Sequence, residues 1–246
     1  MTTQPLISII TITFNAAAEI APTLESVNQQ TWCDFEHIIV DGASNDDTIG
    51  IVRAMSHARI LSEPDRGLYD AMNKGIGLAR GKYLLFLNAG DSFHSPDTLQ
   101  AYAEAAMKGA DIIYGDTEIV NSNRETIGPR HLSAPAILKE DSFADGMLIC
   151  HQAFMVRKEI APEYDLAYRF SADYDWCIKC ILNSQPDKRV NLGRVTIDYL
   201  SDGMTDKNKL TSLRERYRIM STHYGSMRTA INHLKFVWRA FRRGSL

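Results

Sequence analysis

No apolar run in this 246-residue chain approaches the roughly 20 residues needed to cross a bilayer, so a membrane-spanning protein is not expected. Met1-Thr-Thr-Gln-Pro5 lacks the basic region of an export signal, and the apolar run behind it has the length of a strand. Cytoplasmic work is the resulting expectation. Cysteine is scarce, with only Cys33, Cys150, Cys177 and Cys180, and in a reducing compartment disulfides are not expected. The Cys177-x-x-Cys180 pair has no second ligand pair at zinc-site distance, so it reads as two small apolar side chains of a helix core. Strong positive charge is lacking too: a formal net charge of -3 gives no general hold on nucleic acid. Internal repeats and low-complexity segments are absent. So is a Gly-x-Gly-x-x-Gly after the first apolar run, which argues against a dinucleotide oxidoreductase.

What is present has the balance of a soluble globular protein, 45% hydrophobic and 23% charged. The charge is unevenly placed. Arg216 to Leu246 holds seven basic residues and no acidic one, leaving 20 of the 27 basic residues to face all 30 acidic ones. In that tail Ile231, Leu234, Phe236, Val237, Trp238 and Phe241 alternate with Lys235, Arg239, Arg242 and Arg243. A basic helix with aromatics suits an anionic membrane surface, which would place the protein at the inner face of the cytoplasmic membrane. The same pattern suits a helix packed on the body with its basic face in water, and both readings stand. The sequence specifies no oligomeric state.

The apolar pattern predicts strands at Leu6–Phe14, Phe35–Val40, Arg59–Ser62, Tyr83–Leu87 and Asp111–Tyr114. Helices are expected between them over Ala16–Gln29, up to Met55, over Leu68–Ala79, and from Ser95-Pro96 to about Lys108. This βαβα order implies an α/β fold, with a mostly parallel sheet and helices on both faces. Beyond Gly115 the rhythm changes. Short strands are expected to His131, an irregular connection to Gly146, and a strand over Met147–Val156 carrying His151 and Gln152. A helix over Ala172–Asn183, a strand over Val190–Leu200 and a polar loop over Ser201–Lys209 follow. Two terminal helices, Leu210–Tyr224 and Thr229–Arg243, close the chain.

Three acidic clusters follow successive strands: Asp41-Gly42-Ala43-Ser44-Asn45-Asp46-Asp47-Thr48, Asp65-Arg66-Gly67 and Asn88-Ala89-Gly90-Asp91. Each alone suits a turn or a helix cap. Together they fall on one edge of one sheet, where α/β proteins bind ligands. Carboxylates there can hold a divalent cation against phosphate oxygens. Asp173 and Asp175 open a helix, where an acid also suits the helix dipole. Lys74 reads either as a phosphate contact or as a solvated helix lysine.

The segments IITITFN, IIVDGASNDDT, SEPDRGLYDAMNKGI and GKYLLFLNAGD, followed by ICHQAF and FSADYDW, resemble glycosyltransferase family 2 with the GT-A fold. They are most similar to bacterial exopolysaccharide enzymes of the colanic-acid type. The resemblance covers roughly residues 5–205. It implies a catalytic domain over 1–205, with a nucleotide-binding half to about 115 and an acceptor half beyond it, and a helical extension over 206–246. By the same resemblance, Thr13, Phe14 and Asn15 lie against the nucleotide, as does Gly90. Asp41 matches the first acid of a D-[DG]-x-S turn, with Gly42 in the second place. Asp65 and Arg66 belong to the loop beside the nucleoside. Asp91 matches the last acid of the D-x-D region, implying Mn2+ or Mg2+ as cofactor. Asp173 matches the catalytic base, with Asp175 as the alternative. His151 and Gln152 either line the acceptor or diphosphate pocket or form a structural pair. The implied activity is inverting transfer of a sugar from a nucleotide donor, a UDP-sugar, to a glycan or lipid-linked acceptor in polysaccharide synthesis. Two rivals are a sugar-nucleotide nucleotidyltransferase, whose Gly-rich phosphate loop is missing after Phe14, and a non-catalytic nucleotide-sugar-binding or assembly protein.

Overall fold

The structure is a computed structural model that describes residues 4–201 and 209–233. In chain order the N-terminal elements are β1 (Ile7–Thr13), α1 (Ile20–Asn28), β2 (Phe35–Asp41), α2 (Thr48–Met55), β3 (Arg59–Ser62), α3 (Leu68–Leu78) and β4 (Tyr83–Phe86). They continue as β5 (Ser92–Phe93), α4 (Thr98–Met107), β6 (Ile112–Val120), β7 (Thr126–Pro129), β8 (Phe154–Arg157), α5 (Ala172–Asn183), β9 (Arg189–Leu200) and α6 (Lys209–Tyr224). A further helix, α7, covers 226–233. The expected loop after Ser201 and the tail beyond 233 lie outside the described residues.

One nine-stranded sheet runs in the order β3-β2-β1-β4-β8-β6-β9-β5, with β7 also paired to β6. β3, β2, β1 and β4 are parallel, as are β6 and β9. β8 is antiparallel to both of its neighbours, so β4 and β6 still point the same way. The strand period sorts the core. Ile39 of β2 faces Ile20, Leu24 and Val52 of α1 and α2, while its neighbours Ile38 and Val40 join the larger cluster on the other face. Helices thus cover both faces, which is why β1 and β4 are buried along their whole length.

Several boundaries differ from expectation for local reasons. α1 starts at Ile20 rather than Ala16 because the preceding backbone N–H groups are already taken. Asn15, Ala16 and Ala17 donate to Ser44 Oγ, Thr48 Oγ1 and Asp46 Oδ2 at 2.8, 2.8 and 3.0 Å. The strand expected over 147–156 is confined to Phe154–Arg157. His151 and Gln152 sit in a 3-10 turn before it, where the Gln152 amide bends away from the ladder toward Asp91. The two-residue β5 carries too short a pattern to be read from sequence. β6 runs on past Tyr114 to Val120 because β9 pairs with it across a register shift.

α6 is bound to the body through α5. Ser171 and Ser212 hydroxyls meet at 3.0 Å, and the Glu215 carboxylate accepts the Arg169 and Phe170 N–H groups at 2.8 Å each. Ile219 and Met220 of α6 are buried in the main core. Among the described residues, no helix is long and apolar enough to cross a membrane.

Candidate active site

The carboxyl ends of β1, β2, β3 and β4 form one edge, and the acidic turns lie along it. Thr13 closes β1 with its hydroxyl buried and without a partner among the described residues, and its carbonyl accepts the Gly42 N–H at 3.0 Å. Phe14 is 59% exposed, a large ring left on the surface beside this edge. Asn15 takes a positive φ of 50° and receives the Asn45 N–H on Oδ1 at 2.8 Å. Asp41 is fully buried at the end of β2, yet it has ample donors: the Ser44 N–H at 3.0 Å, the Ser44 hydroxyl, and the Ser62 hydroxyl at 2.7 Å. Asp41 therefore locks the turn that follows it.

Asp65 accepts the Gly67 N–H at 2.7 Å and extends its other oxygen over the Cα of Gly42. Arg66 is turned away, its side chain 77% exposed and paired with Asp70 at 2.6 Å. Lys74 pairs with Glu63 at 2.8 Å, so its charge is engaged at the rim.

Asp91 is 5% exposed. Its carboxylate accepts the Gln152 amide on Oδ2 at 2.8 Å and the Leu200 N–H on Oδ1 at 3.0 Å. Burial pushes this carboxyl up to about 7, opposed by these two donors and by the Arg124 guanidinium. Gly90 beside it has a φ of +100°, and a Cβ there would lie 3.1 Å from the Leu200 side chain, so the turn fits closely under β9. Asn88, in the same turn, leaves its Oδ1 buried and without a partner among the described residues. An orphan acceptor oxygen next to a carboxylate with free lone pairs is a donor set for a hard divalent cation. The residues at this turn fit Mn2+ or Mg2+.

His151 does not line the open edge. It is buried in a ring cage with its Nε2 2.5 Å from the Tyr164 hydroxyl and its ring against Phe86 and Trp176. Burial pushes His151 down to about 4, so it is neutral at ordinary pH.

Asp173 stands in the first turn of α5, half-buried, and accepts the Tyr69 hydroxyl on Oδ1 at 3.0 Å. Desolvation and the nearby Asp173 charge push Tyr69 well above the ordinary phenol range, so it stays a donor. Asp175 is occupied. Lys179 and His223 hold its two oxygens at 2.6 and 2.7 Å, and it is buried. Burial first, and then the charges of Asp91 and Asp173 among others, push Tyr199 on β9 well above the ordinary phenol range. Tyr69, Arg124 and Tyr199 carry no motif of their own. Only Tyr69 had a readable signal, since it lies within the DRGLYDAMNKG stretch.

Residues 8–164 match the family model of Glycosyl transferase family 2. The chain belongs to that family. Among curated relatives, this glycosyltransferase is 37% identical over 190 residues to the PGL/p-HBAD biosynthesis glycosyltransferase of Mycobacterium bovis, covering 73% of this chain and 71% of the relative. It is 24% identical over 222 residues to the UDP-Glc:alpha-D-GlcNAc-diphosphoundecaprenol beta-1,3-glucosyltransferase WfgD of Escherichia coli, covering 87% and 85%. Among solved structures it superposes on S. aureus TarS 1-349 in complex with UDP with a TM-score of 0.72 at 17% identity, covering 96% of this chain and 72% of that one. It also superposes on the glucosyl-3-phosphoglycerate synthase of Mycobacterium tuberculosis, in complex with Mn2+, UDP and glucosyl-3-phosphoglycerate. There the TM-score is 0.62 at 16% identity, covering 89% of this chain and 80% of that one. The glycosyltransferase therefore has the GT-A fold, and these curated relatives are named for PGL/p-HBAD biosynthesis and for glucosyl transfer to alpha-D-GlcNAc-diphosphoundecaprenol.

Proposed function

We propose that this glycosyltransferase inverts the anomeric centre of a UDP-sugar, moving the sugar to a hydroxyl of a lipid-linked or glycan acceptor. The observation that carries the reading is Asp173. It is a half-buried carboxylate that has one oxygen steadied by Tyr69 and no basic side chain paired to it among the described residues, whereas Asp175 is clamped by Lys179 and His223. A carboxylate so placed takes the proton of the acceptor hydroxyl as that oxygen attacks the anomeric carbon.

The nucleoside end lies along Thr13, Phe14, Asn15, Asp41 and Asp65, with Arg66 at the rim and Gly90 leaving room for the diphosphate. This assigns the elements up to about residue 115 to the donor and those to 205 to the acceptor, with the terminal helices as an extension. Asp91 and the Asn88 carbonyl oxygen would hold the divalent cation, which when bound neutralises charge on the departing diphosphate. Gln152, hydrogen-bonded to Asp91, fixes that carboxylate's orientation and faces the diphosphate. His151 and its ring cage support the acceptor-side wall. The WfgD relative is named for a diphosphoundecaprenol-linked acceptor, and we take a diphosphate-linked saccharide as the acceptor class here. The exposed Leu213, Met227 and Ile231 continue the apolar character of the tail, in keeping with work at the inner membrane surface.

A screen of UDP-sugars with Mn2+, following UDP release, tests the reading. Asp173→Asn is expected to cut turnover by about 10²–10⁴, with UDP affinity within a factor of two. Turnover retained in Asp173→Asn would overturn the assignment of the base.

A further inference from the structure

Arg216 is the one feature beside the base that the reading above leaves without a task. It projects from α6, whose position is fixed on α5 by the Ser171–Ser212 contact and by Glu215 on the Arg169 and Phe170 N–H groups. Its guanidinium carbon lies 5.9 Å from the centre of the Tyr174 ring, the residue next to Asp173. Its charge also acts on the Tyr69 hydroxyl, the group that donates to Asp173.

Its Nε is buried and has no hydrogen-bond partner among the described residues, and the guanidinium forms no ion pair among them. Elsewhere on the molecule Arg66, Arg80, Arg194 and Arg228 each face a carboxylate, while Arg124 and Arg157 share with Arg216 a buried guanidinium nitrogen without a partner among the described residues. A buried N–H left unsatisfied is costly unless something else supplies the acceptor. Glu215, one residue away on the same helix, spends its carboxylate on backbone N–H groups instead.

We propose that Arg216 binds a phosphate group of the reactants on the Asp173 side of the site. The guanidinium fork matches phosphate oxygens two at a time, and the flat Tyr174 ring beneath it holds the fork in plane. Two reactants carry the required chemistry: the diphosphate of the UDP-sugar, and the diphosphate of a lipid-linked acceptor. The inference rests on the glycosyltransferase reading and adds a residue to it, supplied by the terminal helix rather than by the sheet edge.

The test is direct binding to full-length protein, without turnover, in the wild type, Arg216→Met and Arg216→Lys. The probes are UDP against uridine, and an alkyl-diphospho-N-acetylglucosamine against the alkyl glycoside of the same sugar, all with Mn2+. Arg216→Met keeps the length and packing of the side chain over Tyr174, and a thermal melt checks that it folds. A donor role predicts at least tenfold weaker UDP binding in Arg216→Met with uridine unchanged. An acceptor role predicts the same loss for the diphosphate-linked sugar alone, with the glycoside unchanged. In either case Arg216→Lys recovers part of the affinity. Equal affinities of wild type and Arg216→Met for every phosphate-bearing probe would overturn the proposal. Wild-type protein that binds none of the probes would instead bring down the glycosyltransferase mechanism itself.

Discussion

A Cβ on Gly42 would stand 2.6 Å from Oδ2 of Asp65 and 3.2 Å from the Phe14 ring. The carboxylate of the β3–α3 loop thus occupies the space that a side chain at position 42 would fill. This explains why the turn after Asp41 carries glycine rather than a second acid. Gly42→Ala is expected to push Asp65 off its place and weaken UDP binding about tenfold, with a lower melting temperature. Gly42→Ala/Asp65→Ala is expected to regain most of the melting temperature without regaining affinity. Strict additivity of the two melting shifts would show that the side chains are not in contact.

Tyr69→Phe removes the only side-chain donor on Asp173 among the described residues. A hydrogen bond to a charged group contributes about 1.5–3 kcal/mol, so kcat is expected to fall roughly tenfold or more by this principle. The donor KM should be unchanged. A change in KM alone would assign Tyr69 to substrate binding.

Asp175 is a joint, and its loss should read as instability. Asp175→Asn weakens its pair with Lys179 on the same helix and its contact with His223, which ties α6 to α5. Because Lys179 is 36% exposed, the cost should fall below that of a fully buried pair, at about 2 kcal/mol. Denaturant titration gives the number. A variant with wild-type stability but no turnover would make Asp175 the base instead.

Metal and donor are expected to bind together. The turn after β4 offers one carboxylate, Asp91, and one amide oxygen, Asn88, so donor phosphates must complete the coordination. Calorimetry should show weak Mn2+ binding to free protein and at least tenfold tighter binding with UDP present. Tight Mn2+ binding without nucleotide would count against this donor set.

His37 supplies a pH dependence away from the site. Burial pushes it down to about 4, while the unfolded value is near 6.5. Between those values the unfolded chain takes up a proton that the folded one does not. The stabilisation is therefore complete above pH 6.5 and falls away as pH drops toward 4, by on the order of 3 kcal/mol. His151 adds to the same slope. In His37→Gln the loss of stability between pH 6.5 and 4 should be shallower, and an identical slope would remove His37 from the account.

Many of the elements were legible in the sequence because their information is local. Strand β3 runs over Arg59–Ser62 and α5 over Ala172–Asn183, as the apolar periodicity and the acids at the helix start indicate. The start of α1 was not legible, since it depends on side chains of Ser44, Asp46 and Thr48 from another loop. The turn at His151–Gln152 was hidden for a similar reason: the apolar residues Met147–Cys150 and Ala153–Val156 on either side suit a strand, and only the Asp91 partner reveals why the backbone leaves the ladder. In the site, acids at strand ends could be placed by pattern. Arg124 and Arg216 could not, because their neighbours come from distant parts of the chain, whereas Tyr69 lies within the readable DRGLYDAMNKG stretch.

The place of β8 bears on how the molecule is made. β4 pairs with β1 on one side, but its other edge is filled by Tyr83↔Arg157 and Leu84↔Val156. On a ribosome, the strands up to β4 emerge with that edge bare until the chain has passed Arg157. An open strand edge of this kind recruits other chains. Residues 4–115 are thus a poor candidate for life as a separate fragment, and the strand that closes their sheet, Phe154–Arg157, comes later in the chain.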